Sequence, residues 1–317
     1  INELCISSLL FEIKQTSAIV LLHGYGSGLA CFAASFDMLS TPDVMQQHGP
    51  LYALDWLGMG LSSRPIVKIS DGTPTEQRIA AEAKFLDALE EWRVLKGLSQ
   101  LVLVAHSFGA YLAVRYAQRF PNYIKQLILI SPVGMNENPY QDARACLLGD
   151  AALLTAKPAN PLPWFIQHLW DTGYTPFDFL RWAGPFGPKL MSAWSHTLVV
   201  PSSTSHNSKD CAKHRIHDYA FRVFSLPAST ERLLSYILAP GAHAREALMG
   251  QLPMHVPILL IYGKRDWMSV DAGFDALRVC NLAGGQVKMH VIENAGHHAY
   301  NEALEEFGSV VLREMNF

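Results

Sequence analysis

No stretch of this 317-residue chain is apolar for long enough to cross a bilayer as a helix. The longest aliphatic runs, Ala18–Leu22, Leu101–Ala105 and Pro257–Ile261, have the length of strands, about five residues against the ~20 a spanning helix needs. Charge is scarce too. Asp, Glu, Lys and Arg make up 17% of the chain, with 25 basic against 28 acidic residues. Without a basic excess, nucleic acid is excluded as the main partner. A composition that is 50% hydrophobic, with slightly positive mean hydropathy, excludes a disordered chain. The five cysteines (Cys5, Cys31, Cys146, Cys211, Cys280) are odd in number and contain no Cys-x-x-Cys. They read as reduced, buried thiols of an intracellular or organellar protein. The G-x-G-x-x-G and Gly-Lys-Ser/Thr spacings of nucleotide sites are missing, as is His-Glu-x-x-His, so neither a cofactor nor a metal is expected. The chain starts at Ile1, as a fragment or processed form would, and any targeting segment upstream lies outside it.

What is present is an alternation of short β-type runs and helical patterns at both ends. Ala18–Leu22 leads into His23-Gly24, and Leu51–Leu54 leads into Asp55. Thr75 opens a helical stretch with Ile79, Ala83, Leu86 and Leu89 at a 3.6-residue period, one apolar face. Leu101–Ala105 precedes a helix from about Phe108 to Arg119, and Leu127–Ile130 is a further strand. Later come Ile258–Tyr262, a helix near Asp271–Asn281, Lys288–Ile292 and a final helix near Asn301–Met315. Such alternation predicts an α/β fold with a mostly parallel sheet covered by helices on both faces. Residues 135–255 have a different texture, rich in tryptophan and proline without a strand pattern. They predict a helical cap inserted between a first core segment, 1–134, and a second, 256–317.

The segment Leu101-Val-Leu-Val-Ala-His-Ser-Phe-Gly109 carries the chemistry. A buried strand that runs through a tight turn into a helix is the setting of a G-x-S-x-G nucleophile elbow, with Ala105 in place of the first glycine. The turn projects the Ser107 hydroxyl at a helix N-terminus, where developing negative charge is favoured. A serine needs a base and an orienting acid, in the chain order Ser, Asp, His. Asp266, past the strand Ile258–Tyr262, and His297, past Lys288–Ile292, fit that order. Glu293 is the rival acid and His298 the rival base; Asp266 as a helix cap with His297 as a loop residue is the bland alternative. The N–H groups of Phe108 and of Tyr25, in the glycine-rich His23–Gly28 loop, are candidates for an oxyanion hole. Asp55-Trp-Leu-Gly-Met-Gly-Leu-Ser62 reads as a structural turn.

These residues resemble the α/β-hydrolases, and more narrowly the abhydrolase-domain 4/5 subfamily and its fungal relative, the mitochondrial cardiolipin-specific deacylase. Asp55-x-x-Gly-x-Gly-x-Ser and Ser107-Phe-Gly are superfamily-wide. Tyr262-Gly-x-x-Asp-Trp-Met268, Gly296-His-His-x-Tyr300 and Tyr236-Ile-Leu-Ala-Pro-Gly-Ala-His-Ala-Arg245 are narrower. The resemblance implies a serine hydrolase that removes fatty acyl chains from phospholipids, cardiolipin among them, at the mitochondrial inner membrane. Two features bear on that reading. The family's His-x4-Asp, associated with acyl transfer to lysophosphatidic acid, is His297-x4-Glu302 here, and Ser107 stands where the lipid-droplet coactivator branch has asparagine. An acyl-CoA-dependent acyltransferase, a lipid-binding adaptor that regulates lipases and a small-molecule esterase are the alternatives.

The composition of the insert bears on the substrate. Leu162–Trp170 and Phe177–Trp182 are crowded with large apolar side chains. Trp164, Phe165 and Trp182 are candidate lipid contacts, since aromatic rings suit a bilayer interface; the same residues could instead form the cap's own core. Lys209, Lys213, Arg215 and Arg222, with His206, His214 and His217 and diluted by Asp210 and Asp218, would either meet an anionic head group or form a solvated helix face.

Overall fold

The computed structural model describes residues 1–7, 16–136, 163–198 and 206–315, and over 193–198 and 206–213 the backbone alone. Nine strands are described: β1 (Asn2–Ile6), β2 (Ser17–Leu22), β3 (Leu51–Asp55), β4 (Gln100–His106), β5 (Ile124–Ile130), β6 (Leu238–Ala239), β7 (His243–Ala244), β8 (Ile258–Gly263) and β9 (Val287–Ile292). Seven of them form one sheet in the order β1-β3-β2-β4-β5-β8-β9, antiparallel only where β1 meets β3. The aliphatic runs become the central strands because both of their faces are covered. Val20, Leu22, Leu103 and Ala105 point to one core, Ile19, Leu21, Val102 and Val104 to the other, as the two-residue period requires.

Helices α1 (Pro74–Lys96), α2 (Phe108–Arg119) and α7 (Val270–Leu282) supply side chains to the first core, and α8 (Leu304–Glu314) to the second. Thr73 starts α1 with a capping box to Glu76, and Gly97, in the left-handed region at φ 66°, ends it. The buried face of α1 is met in part. Leu86 and Leu89 are buried as expected, but Ile79 is exposed and Ala83 half-buried, and Arg78, Ala81, Glu82, Phe85 and Trp92 also point inward. Two charged residues belong to that face because they are satisfied there. Glu82 Oε1 accepts from Arg78 Nη1 at 2.6 Å and from Tyr111 Oη at 2.6 Å, and Arg115 Nε lies 3.8 Å away. A hydropathy period passes over such residues.

Two more differences have physical causes. Strand β1 was not expected, since an edge strand with half-exposed Asn2 and Glu3 has no alternating apolar signal. The last helix is broken: a single turn, Ala299–Glu302, stops at Ala303 (φ −135°, ψ 58°) before α8 begins.

Within the insert, α3 (Trp164–Asp171), α4 (Pro176–Trp182), α5 (Gly187–Leu198) and α6 (His206–Phe224) are described. A small core of Phe177, Leu180, Met191, Ala220, Val223 and Phe224 holds together α4, α5 and α6, with the rings of Phe177 and Phe224 stacked at 4.3 Å. Toward the end of the segment read as insert, Leu233, Leu234, Ile237, Leu238, Leu248 and Leu252 are buried in the main core, joined by the β6–β7 hairpin that sequence patterning missed. Cys146 and Leu162, and the side chains of Trp194, His206, Lys209, Asp210, Cys211 and Lys213, lie outside the described residues. The described thiols, Cys5, Cys31 and Cys280, are unpaired. No described helix is long and apolar enough to cross a membrane.

Replacing Glu82 by alanine leaves the Tyr111 hydroxyl without its acceptor and takes from Arg78 and Arg115 one of two carboxylates, with Glu246 remaining to both. The expected cost is about 1–3 kcal/mol, read as a lowered urea midpoint with unchanged cooperativity; a loss within error of zero would show that the network is not integral to folding.

Candidate active site

Strand β4 delivers its last residue into a turn that other residue types would resist. Ser107 has φ 55° and ψ −117°, a positive φ at a non-glycine residue, held by Ser107 N–H donating to Ile130 O at 2.9 Å. The neighbours must be small for this. A Cβ on Gly109 would lie 2.5 Å from the His23 carbonyl oxygen, and one on Gly24 would lie 3.0 Å from Ser107 Cβ. Ala105, where the elbow usually has glycine, has its methyl fully buried in the first core.

Ser107, Asp266 and His297 meet although they are far apart in sequence. His297 Nε2 is 3.1 Å from Ser107 Oγ, and His297 Nδ1 is 2.9 Å from Asp266 Oδ1. A carboxylate only accepts, so Nδ1 carries the proton and the Nε2 lone pair faces the serine hydroxyl, which donates to it. The Asp266 side chain is fully buried; its Oδ1 also accepts from Met268 N–H at 3.0 Å. The loops that carry Asp266 and His297 are pressed together: a Cβ on Gly263 would lie 2.2 Å from the Gly296 carbonyl oxygen. The exposed Trp267 indole packs against His297, ring centroids 4.6 Å apart.

The rival candidates lie elsewhere. Glu293 is at the surface, paired with Lys264 at 2.5 Å. His298 is buried and its Nδ1 pairs with Tyr300 Oη at 3.1 Å. Burial, and secondarily the neighbouring His297 imidazole, push the His298 pKa down to about 3, and burial with the same neighbour holds His106 well below the usual imidazole range. His106 was not singled out from the sequence, yet its Nε2–H donates to the His297 carbonyl oxygen at 3.0 Å. Ser131, at the end of β5, donates to the same oxygen at 3.2 Å. Their signal is positional, as His106 ends a central strand and Ser131 directly follows one.

Phe108 N–H opens α2 and Tyr25 N–H lies in the loop beside Ser107; neither amide is taken by another described group. Buried His23 sets the attitude of that loop. Its Nδ1–H donates to Gly24 O at 2.8 Å while its Nε2 accepts from Trp56 N–H at 3.2 Å. In a trans peptide the Tyr25 N–H then points away from His23. The Tyr25 ring leaves the loop upward, 5.3 Å from Phe177 and 6.2 Å from Trp170 of the insert. Asp55 acts as a turn anchor: Oδ1 accepts from Leu29 N–H and Oδ2 from Leu61 N–H, at 2.8 and 3.0 Å.

The candidate lipid contacts stay outside the insert's core. Trp164, Phe165 and Trp182 are 79%, 51% and 62% exposed, alongside exposed Ile166, Phe179, Phe186 and Leu190. Of the basic stretch, His214, Arg215 and Arg222 are exposed on α6.

The chain belongs to the α/β-hydrolase fold family. The match to that family covers residues 17–304. Among curated relatives, the 1-acylglycerol-3-phosphate O-acyltransferase ABHD5 of Mus musculus is 30% identical over 95% of this chain and 77% of its own length. The 1-acylglycerol-3-phosphate O-acyltransferase of Arabidopsis thaliana is 29% identical over 97% and 68%. Among solved structures, an esterase from Exiguobacterium antarcticum superposes with TM-score 0.60 at 15% identity, covering 99% of this chain and 95% of that one. A membrane phospholipase A described as a bacterial virulence factor gives TM-score 0.63 at 18% identity, covering 99% and 81%. Both structures share the fold.

The buried histidines make stability fall in acid. The unfolded chain takes up a proton on His298 below about pH 6.5, whereas the folded chain does so only near pH 3. Stability is therefore lost as the pH drops through that interval, by about 1.4 kcal/mol per pH unit from this group. In His298→Gln the slope of unfolding free energy against pH, measured between about pH 6 and 5, is shallower than in the wild type by roughly that amount. Equal slopes would place His298 in a solvated setting.

Proposed function

We propose that this protein is a serine hydrolase that removes fatty acyl chains from phospholipids. The observation that carries the reading is the unbroken relay from Ser107 Oγ through the His297 imidazole to the buried Asp266 carboxylate. Ser107 attacks the ester carbonyl, His297 takes its proton and returns it to the lyso-lipid oxygen, and Asp266 holds the tautomer and stabilises the imidazolium. The Tyr25 and Phe108 N–H groups receive the oxyanion, each worth about 10²–10³ in rate. Water then releases the fatty acid from the acyl-enzyme.

A lipid substrate is supported by the relatives, whose names specify acylated glycerol phosphate, and by the exposed aromatic side chains of the insert. Trp164, Phe165 and Trp182 would seat this face in a membrane interface, with exposed Arg215 and Arg222 of α6 toward anionic lipid. Cardiolipin as the preferred head group, and a peripheral place on the mitochondrial inner membrane, extend the reading on the sequence resemblance. A second reading, acyl transfer from acyl-CoA to a lysophospholipid, is favoured by the same relatives' names and uses the same serine.

Lipid products measured by mass spectrometry decide between them. Mixed vesicles with cardiolipin should yield fatty acid and monolyso-cardiolipin with wild type and none with Ser107→Ala, without acyl-CoA. Lyso-lipid consumed only when acyl-CoA is present would establish the transferase, and wild-type turnover by Ser107→Ala would end both readings. Replacing Trp164 and Trp182 together by alanine should reduce vesicle turnover at least tenfold while sparing a short soluble ester; equal losses on both substrates would refute the membrane-facing role.

A further inference from the structure

The sequence suggested Glu302 as part of an acyl-transfer element. Its carboxylate, however, is occupied by the backbone. Glu302 Oε2 accepts from Gly296 N–H at 2.8 Å, and Oε1 accepts from His298 N–H at 3.1 Å. These are the amides immediately before and after His297. The single turn Ala299–Glu302 makes this reach possible: Glu302 N–H donates to His298 O at 2.9 Å, coiling the chain so that its side chain returns under the loop it has just left. Gly296 permits the approach, since a Cβ there would lie 3.2 and 3.3 Å from the two carboxylate oxygens.

One peptide unit decides what this does. The His297–His298 peptide has its N–H on Glu302, and its carbonyl on His106 Nε2–H and Ser131 Oγ–H. Both edges are held, so ψ of His297 is fixed, and with it the direction of the imidazole stem. His106 is the residue directly before the nucleophile, so base and nucleophile are referred to the same strand end. Hydrogen bonds to an ionised carboxylate are the stronger kind, which suits a clamp.

We propose that Glu302 is a positioning residue for His297, holding the backbone on both sides of the base and taking no part in acyl chemistry. This rests on the serine-hydrolase reading, in which the 3.1 Å contact between His297 and Ser107 must be kept. A displacement of 1 Å at such a contact costs about 10²-fold in rate.

The test compares wild type with Glu302→Ala, Glu302→Gln, Gly296→Ala and Ser107→Ala. Two measurements do not require turnover on lipid: the downfield proton resonance of His297 Nδ1–H against Asp266, and the rate of Ser107 labelling by a fluorophosphonate. Glu302→Ala should broaden or abolish the resonance, slow labelling and lower kcat on a soluble ester by about 10²-fold, with KM little changed. Glu302→Gln keeps one acceptor oxygen and should lie between, losing about tenfold. Gly296→Ala crowds the carboxylate without removing it and should shift the resonance in the same sense. If Glu302→Ala does not fold, the other two variants decide the matter on the resonance alone. An unchanged resonance and labelling rate in the Glu302 variants, with only acyl-CoA-dependent acylation lost, would overturn the proposal. Failure of the hydrolase reading shows separately, as a wild type that neither labels nor depends on Ser107, and the resonance still reports whether Glu302 holds His297.

Discussion

A serine backbone held at φ 55° is the constraint around which the rest of this molecule is arranged. That conformation is unfavourable for an L-residue and persists only because the surroundings over-determine it. The hydrogen bond to Ile130 O, the missing side chains at Gly24 and Gly109 and the burial of β4 from Leu101 to His106 leave the turn no alternative. The result is a hydroxyl at the end of the sheet and at the start of a helix, where the other reacting groups can converge on it.

Convergence follows from parallel strands. Because β4, β5, β8 and β9 are adjacent and point the same way, the residues that follow them arrive at one edge: Ser107, Ser131, Asp266 and His297. The relay is sited by topology and tuned by loops. His106 and Ser131 hold His297 through its carbonyl, and His23 turns the peptide beside Ser107, so that neutral buried imidazoles do backbone work around the imidazole of His297. Burial suits them to this. An uncharged ring offers one donor and one acceptor in fixed directions, and it does not compete for the charge of Asp266.

The parts of this arrangement that were legible in the sequence are those with a local signature. Central strands read as unbroken aliphatic runs, the elbow as a strand followed by small residues around a serine, and acid and base as polar residues just past strands. The illegible parts depend on tertiary context. Leu86 and Leu89 of α1 carry a legible period, but the inward place of Arg78 and Glu82 carries none, because they satisfy one another only once Tyr111 and Arg115 are folded against them. Strand β1 takes its identity from β3. Glu302 could be counted four residues after His298, but nothing local says that its oxygens face backwards. Exposure of Trp164 and Trp182 is likewise a property of packing, since an aromatic cluster has the same composition whether it forms a core or a surface.

Tyr25 joins two parts of the molecule with a single residue. Its amide belongs to the loop beside Ser107, while its ring is packed by Phe177 and Trp170 of the insert. Between those two ends lie only the Cα and Cβ, a rigid lever about one side chain long. The helices of the insert therefore cannot slide over the sheet while Tyr25 keeps both its ring packing and its amide in place. The packing of Phe177 and Trp170 on that ring is thus tied, through two atoms, to the loop beside Ser107.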